Sequence, residues 1–263
     1  MSHADDALPI SVLLTSLPLP FEDAVRQAAA LGFTHVDVVG LAERPAAHLD
    51  ALADTGLLVS CAAVGRGLPE GLTLDAGRVE DRRAAVEQVK HHIADAARLG
   101  ATHCYIVPGS ELPPPHALRR FADSCTHLAD YAAGRMVRLC VEHMPNRALA
   151  TAAGTLSWLN RLGHDNLFLL LDTGHCLMTG EDAAEVVRHA GPRLGYVHCD
   201  DNDGRSDLHW PLLTGRLTRD ELQELCVVLR SAGYGGPLSL ELNPNNADPV
   251  AALREGKALL EAM

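Results

Sequence analysis

The stretch LFLLLDTGHCLMTGEDAAEVVRHAGPRLGYVHC, residues 167–199, decides the fold. Leu167–Asp172 is apolar until its terminal carboxylate, and Leu194–Cys199 repeats that form with His198 near its end. Between them Glu181–Ala190 carries apolar residues at helical spacing and stops at Gly191. Near-continuous apolar strands on either side of a helix read as a parallel unit buried on both faces. The same unit recurs outward in both directions. Upstream, Ile10–Thr15 precedes Phe21–Leu31, His35–Val39 precedes Ala42–Ala53, and Leu57–Val64 precedes Glu80–Leu99. His103–Val107 then precedes Leu118–Ala133, and Val137–Glu142 precedes Thr155–Leu162. Downstream come the helix Thr218–Ala232, whose first residue is a good N-cap, the strand Pro237–Leu242 and the closing helix Pro249–Ala262. Eight such pairs in 263 residues predict an α/β protein that is a single (β/α)8 TIM barrel, one domain over 1–263. A doubly wound open sheet is the runner-up. It would use fewer units and a glycine-rich first turn, and Thr15-Ser16-Leu17-Pro18 is not one.

Composition narrows the function. Lys+Arg number 22 and Asp+Glu 34, a net charge of −12, which opposes a nucleic-acid partner. No apolar run is long enough to cross a membrane, and the N-terminal MSHADDALPI lacks the positive start of a secretory signal. The seven cysteines form no C-x-x-C pair and several sit in apolar runs, so buried thiols and a cytoplasmic location are expected. The only lysines, Lys90 and Lys257, fall on helices, so no lysine stands at a strand end for imine chemistry. Without a glycine-rich phosphate turn, no nucleotide cofactor is expected.

In a barrel of this kind chemistry gathers at the C-terminal ends of the strands. Four consecutive strands end on ionisable groups: CVEHMPN gives Glu142, LLLDTGHC gives Asp172 and His175, YVHCDDNDG gives His198, and LSLELNP gives Glu241. Any one of these could be a helix cap or an ion-pair partner. Four together, each after an apolar run where an unpaired charge is expensive, suit one divalent ion: Mn²⁺, Mg²⁺, Co²⁺ or Zn²⁺. His143 follows Glu142 directly, so alternation turns it away from that point toward a packing role. His91, His92, His127 and His189 are helical and read as surface or inter-layer residues. The loop Asp200–Gly215 carries Asp207-Leu208-His209, Arg205 and Trp210. It reads as a substrate contact or lid in which Trp210 and Pro211 exclude water, against the alternative of a solvated acidic loop. Its four aspartates, with Arg205 as their only cationic neighbour, would receive a phosphate poorly, so an unphosphorylated sugar or polyol is expected. Arg66, in the loop after the third strand, is a weaker pocket candidate.

The order Glu142, Asp172-x-x-His175, His198 and Glu241, with Asp207-x-His209 before the last, resembles the xylose-isomerase-like TIM barrels. That superfamily includes ketose 3-epimerases, hydroxypyruvate isomerase, inosose dehydratases and endonuclease IV. The resemblance implies that Glu142, Asp172, His198 and Glu241 hold one divalent metal. It implies that Glu142 and Glu241 are the proton-transfer bases on opposite faces of a sugar, and that His175 and Arg205 contact its oxygens. It also implies a possible homo-oligomer. A proton α to a ketone is too weakly acidic for a free carboxylate, so a metal-stabilised enediolate is the expected route. Such a site serves an isomerase, an epimerase or, with loss of a β-hydroxyl, a dehydratase. The endonuclease IV branch carries further histidines at earlier strand ends, where this chain has CAAVGRG and YIVPGS. A non-catalytic ligand-binding barrel is disfavoured by two opposed glutamates.

Overall fold

The computed structural model describes residues 8–109 and 116–263. Eight parallel strands pair in sequence order, and β8 pairs back to β1 to close a barrel. The strands are β1 (Ile10–Leu13), β2 (His35–Val39), β3 (Leu58–Ala63), β4 (His103–Ile106), β5 (Arg138–Glu142), β6 (Leu167–Asp172), β7 (Leu194–Cys199) and β8 (Leu238–Leu240). The helices are α1 (Phe21–Ala30), α2 (Ala46–Thr55), α3 (Val79–Arg98), α4 (Ala117–Ala133), α5 (Ala152–Leu162), α6 (Thr173–Thr179), α7 (Ala183–Ala190), α8 (Arg219–Ser231) and α9 (Pro249–Glu261).

Strand alternation divides the apolar residues into two cores. Val36, Val38, Leu139, Val141, Leu169, Leu171, Val197 and Leu240 belong to the larger one, between sheet and helices. Cys61, Ala63, Tyr105, Cys140, Leu170 and Tyr196 form a smaller one inside the barrel. The same period of two sends Glu142, Asp172, His198 and Ser239 inward with the smaller core, so the interior carries polar groups between apolar layers. All seven cysteines are buried free thiols. Among the described residues no helix is long and apolar enough to cross a membrane.

Several element ends differ from those expected. The first strand stops at Leu13, because Leu14–Ser16 curls into a 3₁₀ turn. The second helix begins at Ala46 rather than Ala42, since Pro45 turns Arg44, the residue before it, away from helical backbone. The eighth strand ends at Leu240, leaving Glu241 just past its end. No helix is expected directly after Asp172, yet α6 occupies Thr173–Thr179, capped by Asp172 and stopped by Gly180 at φ 71°.

At the N-terminal mouth His103 is 8% exposed, with Nδ1 2.9 Å from the Thr102 hydroxyl. Burial, and secondarily the Arg138 charge, lower its pKa to about 4. The unfolded imidazole takes its proton near pH 6.5 and the folded one only near 4. Stability is therefore lost as pH falls through that window, by about 2 kcal/mol at pH 5 from this group. His103→Gln should lose about 2 kcal/mol less than the parent between pH 7 and pH 5 in urea unfolding. Equal losses in the two proteins would show that His103 is not buried neutral.

Candidate active site and metal centre

Neighbouring strands bring the predicted ligands together. Asp172 lies opposite His198 in the β6–β7 register, and His198 lies opposite Ser239, two residues before Glu241. Glu142 closes the group from the end of β5. Glu142, Asp172, His198 and Glu241 are all buried, and one ligand atom from each lies within 4.8 Å of the other three. His198 Nδ1 is 2.6 Å from Glu241 Oε2 and 3.5 Å from Glu142 Oε1. Asp172 Oδ2 and both His198 nitrogens nevertheless make no aligned hydrogen bond among the described residues.

The electrostatics are those of crowded buried acids. Burial, then repulsion from Asp200, pushes the Asp172 pKa up to about 7. Burial would also raise Glu241, but His198, and after it His209 and Arg66, outweigh burial and hold it well below the usual carboxylate range. Burial disfavours a charged His198, and Glu241 with Glu142 reverse this and raise it strongly. Three carboxylates facing one imidazole, with Asp172 Oδ2 left bare, fit a hard or borderline divalent cation. Glu142, Asp172, His198 and Glu241 would hold it.

A second polar group adjoins the first. His175 is fully buried; its Nδ1 lies 2.7 Å from the His143 carbonyl and its Nε2 3.3 Å from Asp207 Oδ1. Burial opposes a charge on His175, but Asp172, then Asp207 and Glu142, raise its pKa to about 10. His209 Nδ1 is 2.7 Å from Asp200 Oδ2 and its Nε2 3.1 Å from Asp207 Oδ1. The Asp172–His175 spacing also has a local cause: Asp172 Oδ1 accepts the His175 backbone N–H at 2.8 Å and caps α6. Arg205 is exposed, and its backbone N–H donates to Asp203. Among the described residues, no contact carries its side chain to the four-residue cluster. Trp210 is held by two main-chain bonds to Asp201, at 2.7 and 3.0 Å.

Four residues of the site were not singled out from the sequence. Asp200 and Asp201 are fully buried where a solvated acidic loop was the alternative. Asp200 accepts the Gly174 N–H at 2.8 Å, and Asp201 accepts the N–H groups of Asn202, Gly215 and Leu217. Tyr105, on β4, accepts a 2.9 Å hydrogen bond from Arg66 Nη2, which also reaches Glu241 Oε1 at 3.1 Å. Arg66 is thus tied to one of the predicted bases. Asp37 lies fully buried inside the barrel; an aspartate within the apolar HVDVV run was the available signal. His143 packs as expected and also accepts the Asp172 backbone N–H at 3.2 Å.

A cavity of about 360 Å³ lined by Arg66, Tyr105 and Arg147 opens on this side. A larger one of about 840 Å³ lies at the opposite mouth, around Ser60, His103 and Arg138, away from the carboxylates. Chemistry rather than volume therefore locates the site. Close packing beside it sets a further expectation. A Cβ on Gly174 would fall 2.4 Å from Asp200 Oδ1. Gly174→Ala should cost about 1–3 kcal/mol in urea unfolding, because Asp200 is buried and cannot swing away. Unchanged stability would contradict that packing.

The sequence profile of the family described as "Xylose isomerase-like TIM barrel" matches residues 25–263. A provisionally named hydroxypyruvate isomerase of Streptomyces coelicolor is 30% identical over an alignment of 279 positions, gaps included, covering 95% of each chain. The D-psicose 3-epimerase of Agrobacterium fabrum is 24% identical over 242 residues, 84% of this chain and 78% of its own. Among solved structures, 3-keto-D-glucoside 4-epimerase from E. coli superposes with a TM-score of 0.81 at 19% identity. That superposition covers 97% of this chain and 100% of the other, a shared fold.

Proposed function

The chain belongs to the xylose isomerase-like TIM barrel family, and from that premise we propose that it is a divalent-metal-dependent isomerase or epimerase of a small, unphosphorylated sugar or keto-polyol. One observation carries the reading: Glu142, Asp172, His198 and Glu241 converge, buried, from four adjacent strand ends. The relatives named as a 3-epimerase and an isomerase support it.

A divalent cation held by these four residues supplies, when bound, Lewis-acid polarisation of a carbonyl and its neighbouring hydroxyl, which acidifies the adjoining C–H. The chain's own groups do the rest. A carboxylate oxygen of Glu142 or Glu241 takes the proton from that carbon, and the other glutamate delivers one. Arg66 on Oε1 and His198 beside Oε2 keep Glu241 ionised and in place between turnovers. His175 and His209, with Asp207 between their Nε2 atoms, form the polar wall against which sugar oxygens are received. Trp210, held on Asp201, and Arg205, further out on the same loop, meet the substrate from the rim.

The test is solvent exchange. Protein loaded with Mn²⁺ or Co²⁺ is incubated in D2O with a panel of ketoses, inososes and hydroxypyruvate. Deuterium should enter one α-carbon, and the product formed alongside separates epimer, aldose and dehydrated compound. No exchange into any member would overturn the enzyme reading. Release of water without epimer would move the protein to the dehydratases.

A further inference from the structure

Asp37 sits in the middle of β2, fully buried inside the barrel, and no step above uses it. Its Oδ1 accepts from Ser11 Oγ at 2.8 Å and from the Tyr196 hydroxyl at 2.7 Å. Those bonds come from β1 and β7 and fix the carboxylate's orientation across the barrel. Its Oδ2 has no hydrogen-bond partner among the described residues and lies 3.8 Å from His198 Nε2, which also has none. The other ring nitrogen, Nδ1, faces Glu241 and Glu142. Tyr105 and Tyr196 meet the His198 ring edge-on, with centroids 5.1 and 5.8 Å away, and restrict its rotation. Asp37 Oδ2, an acceptor, and His198 Nε2 therefore face each other beneath the cluster, with the Ser239 hydroxyl also beside Asp37, in a place closed to solvent.

We infer that Asp37 is the positioning residue for His198. Its Oδ2 accepts the Nε2–H, so that the Nδ1 lone pair is the one presented between Glu142 and Glu241. A carboxylate behind a ligating imidazole fixes its tautomer and strengthens it as a donor. Ser11 and Tyr196 are the clamps that aim the carboxylate. This rests on the metal reading of the four-residue cluster.

Asp37→Asn is the test, because it keeps the shape and the Oδ1 acceptor while placing an NH2 against Nε2. That donor opposes the Nε2–H tautomer and turns a proton toward Nδ1. Co²⁺ affinity, measured by chelator competition, should weaken by about 10–100-fold, with a changed visible Co²⁺ spectrum. The metal-free Asp37→Asn protein should remain folded, read as a cooperative thermal transition. Parent-like Co²⁺ affinity and spectrum in a folded Asp37→Asn would overturn the assignment. If Asp37→Asn does not fold, Tyr196→Phe decides: it frees one side of the carboxylate and should weaken Co²⁺ several-fold, and an unchanged affinity would refute the role. A parent protein that binds no Co²⁺ fails at the metal reading itself, and the inference falls with it.

Discussion

Glu142→Gln and Glu241→Gln should each lower turnover by about 10²–10⁴-fold at saturating metal, the scale on which removing a positioned base acts. The two variants should differ in a second respect. Glu241 is held on both oxygens, by Arg66 on Oε1 and by His198 beside Oε2. A glutamine there turns its NH2 either against the Arg66 guanidinium or into the place of the Oε2 that faces the cluster, so Glu241→Gln loses metal affinity along with chemistry. Glu142→Gln also removes a ligand charge, but Glu142 Oε1 stands 3.5 Å from His198 Nδ1 and the Arg66 hydrogen bond is on Glu241, so its loss of metal affinity should be the smaller of the two. If each glutamate serves one face of the substrate, each variant keeps deuterium exchange in the single epimer whose proton faces the surviving base, while interconversion falls in both. The measurement is deuterium wash-in from each pure epimer, with metal content determined on the same samples. Parent-like exchange from both epimers in both variants would remove the glutamates from the proton-transfer role.

Much of this was legible in the sequence because the barrel repeats one physical rule. A strand buried on both faces must be apolar, so the few polar residues at its C-terminal end stand out, as Glu142 and His198 do. Asp37, Tyr105 and Asp200 were harder for different reasons. Asp37 lies mid-strand, where a lone carboxylate makes sense only once Ser11 and Tyr196 are known to face it from other strands. Tyr105 looks like core until Arg66 arrives from the preceding loop. Asp200 shares its run with Asp201 and Asp203, and nothing local distinguishes buried neighbours from a solvated one. The helix α6 was hidden for a related reason. Its cap is the same Asp172 read as a ligand, and the two jobs use different oxygens: Oδ1 accepts from His175, and Oδ2 is left to the cluster. Element ends moved where proline or a tight turn governed the backbone, as at Pro45 and Leu14–Ser16.

That division of labour in Asp172 gives the second large effect. Asn at this position keeps an oxygen for the His175 N–H, so the cap on α6 survives, but it removes the charge from Oδ2. In the metal-free protein the charge is a burden, since burial and Asp200 together raise the Asp172 pKa to about 7. A raised carboxylate favours the fold while protonated. Its contribution is lost as pH rises from the unfolded value near 4 toward 7, and the ionised group then works against the fold. Metal-free Asp172→Asn should accordingly match or exceed the parent Tm at pH 7.5 and show a flatter pH dependence between 4 and 7. With Mn²⁺ or Co²⁺ the order reverses. A ligand at 100 times its Kd stabilises the parent by about 2.7 kcal/mol, and Asp172→Asn, one anionic donor short, should gain far less at the same concentration. Scanning fluorimetry with and without metal reads both arms, and activity should be lost with the metal. An equal metal-induced shift in the two proteins would remove Asp172 from the ligand set. A metal-free Asp172→Asn well below the parent would mean that the carboxylate stabilises the metal-free site, against the effect argued from burial and Asp200.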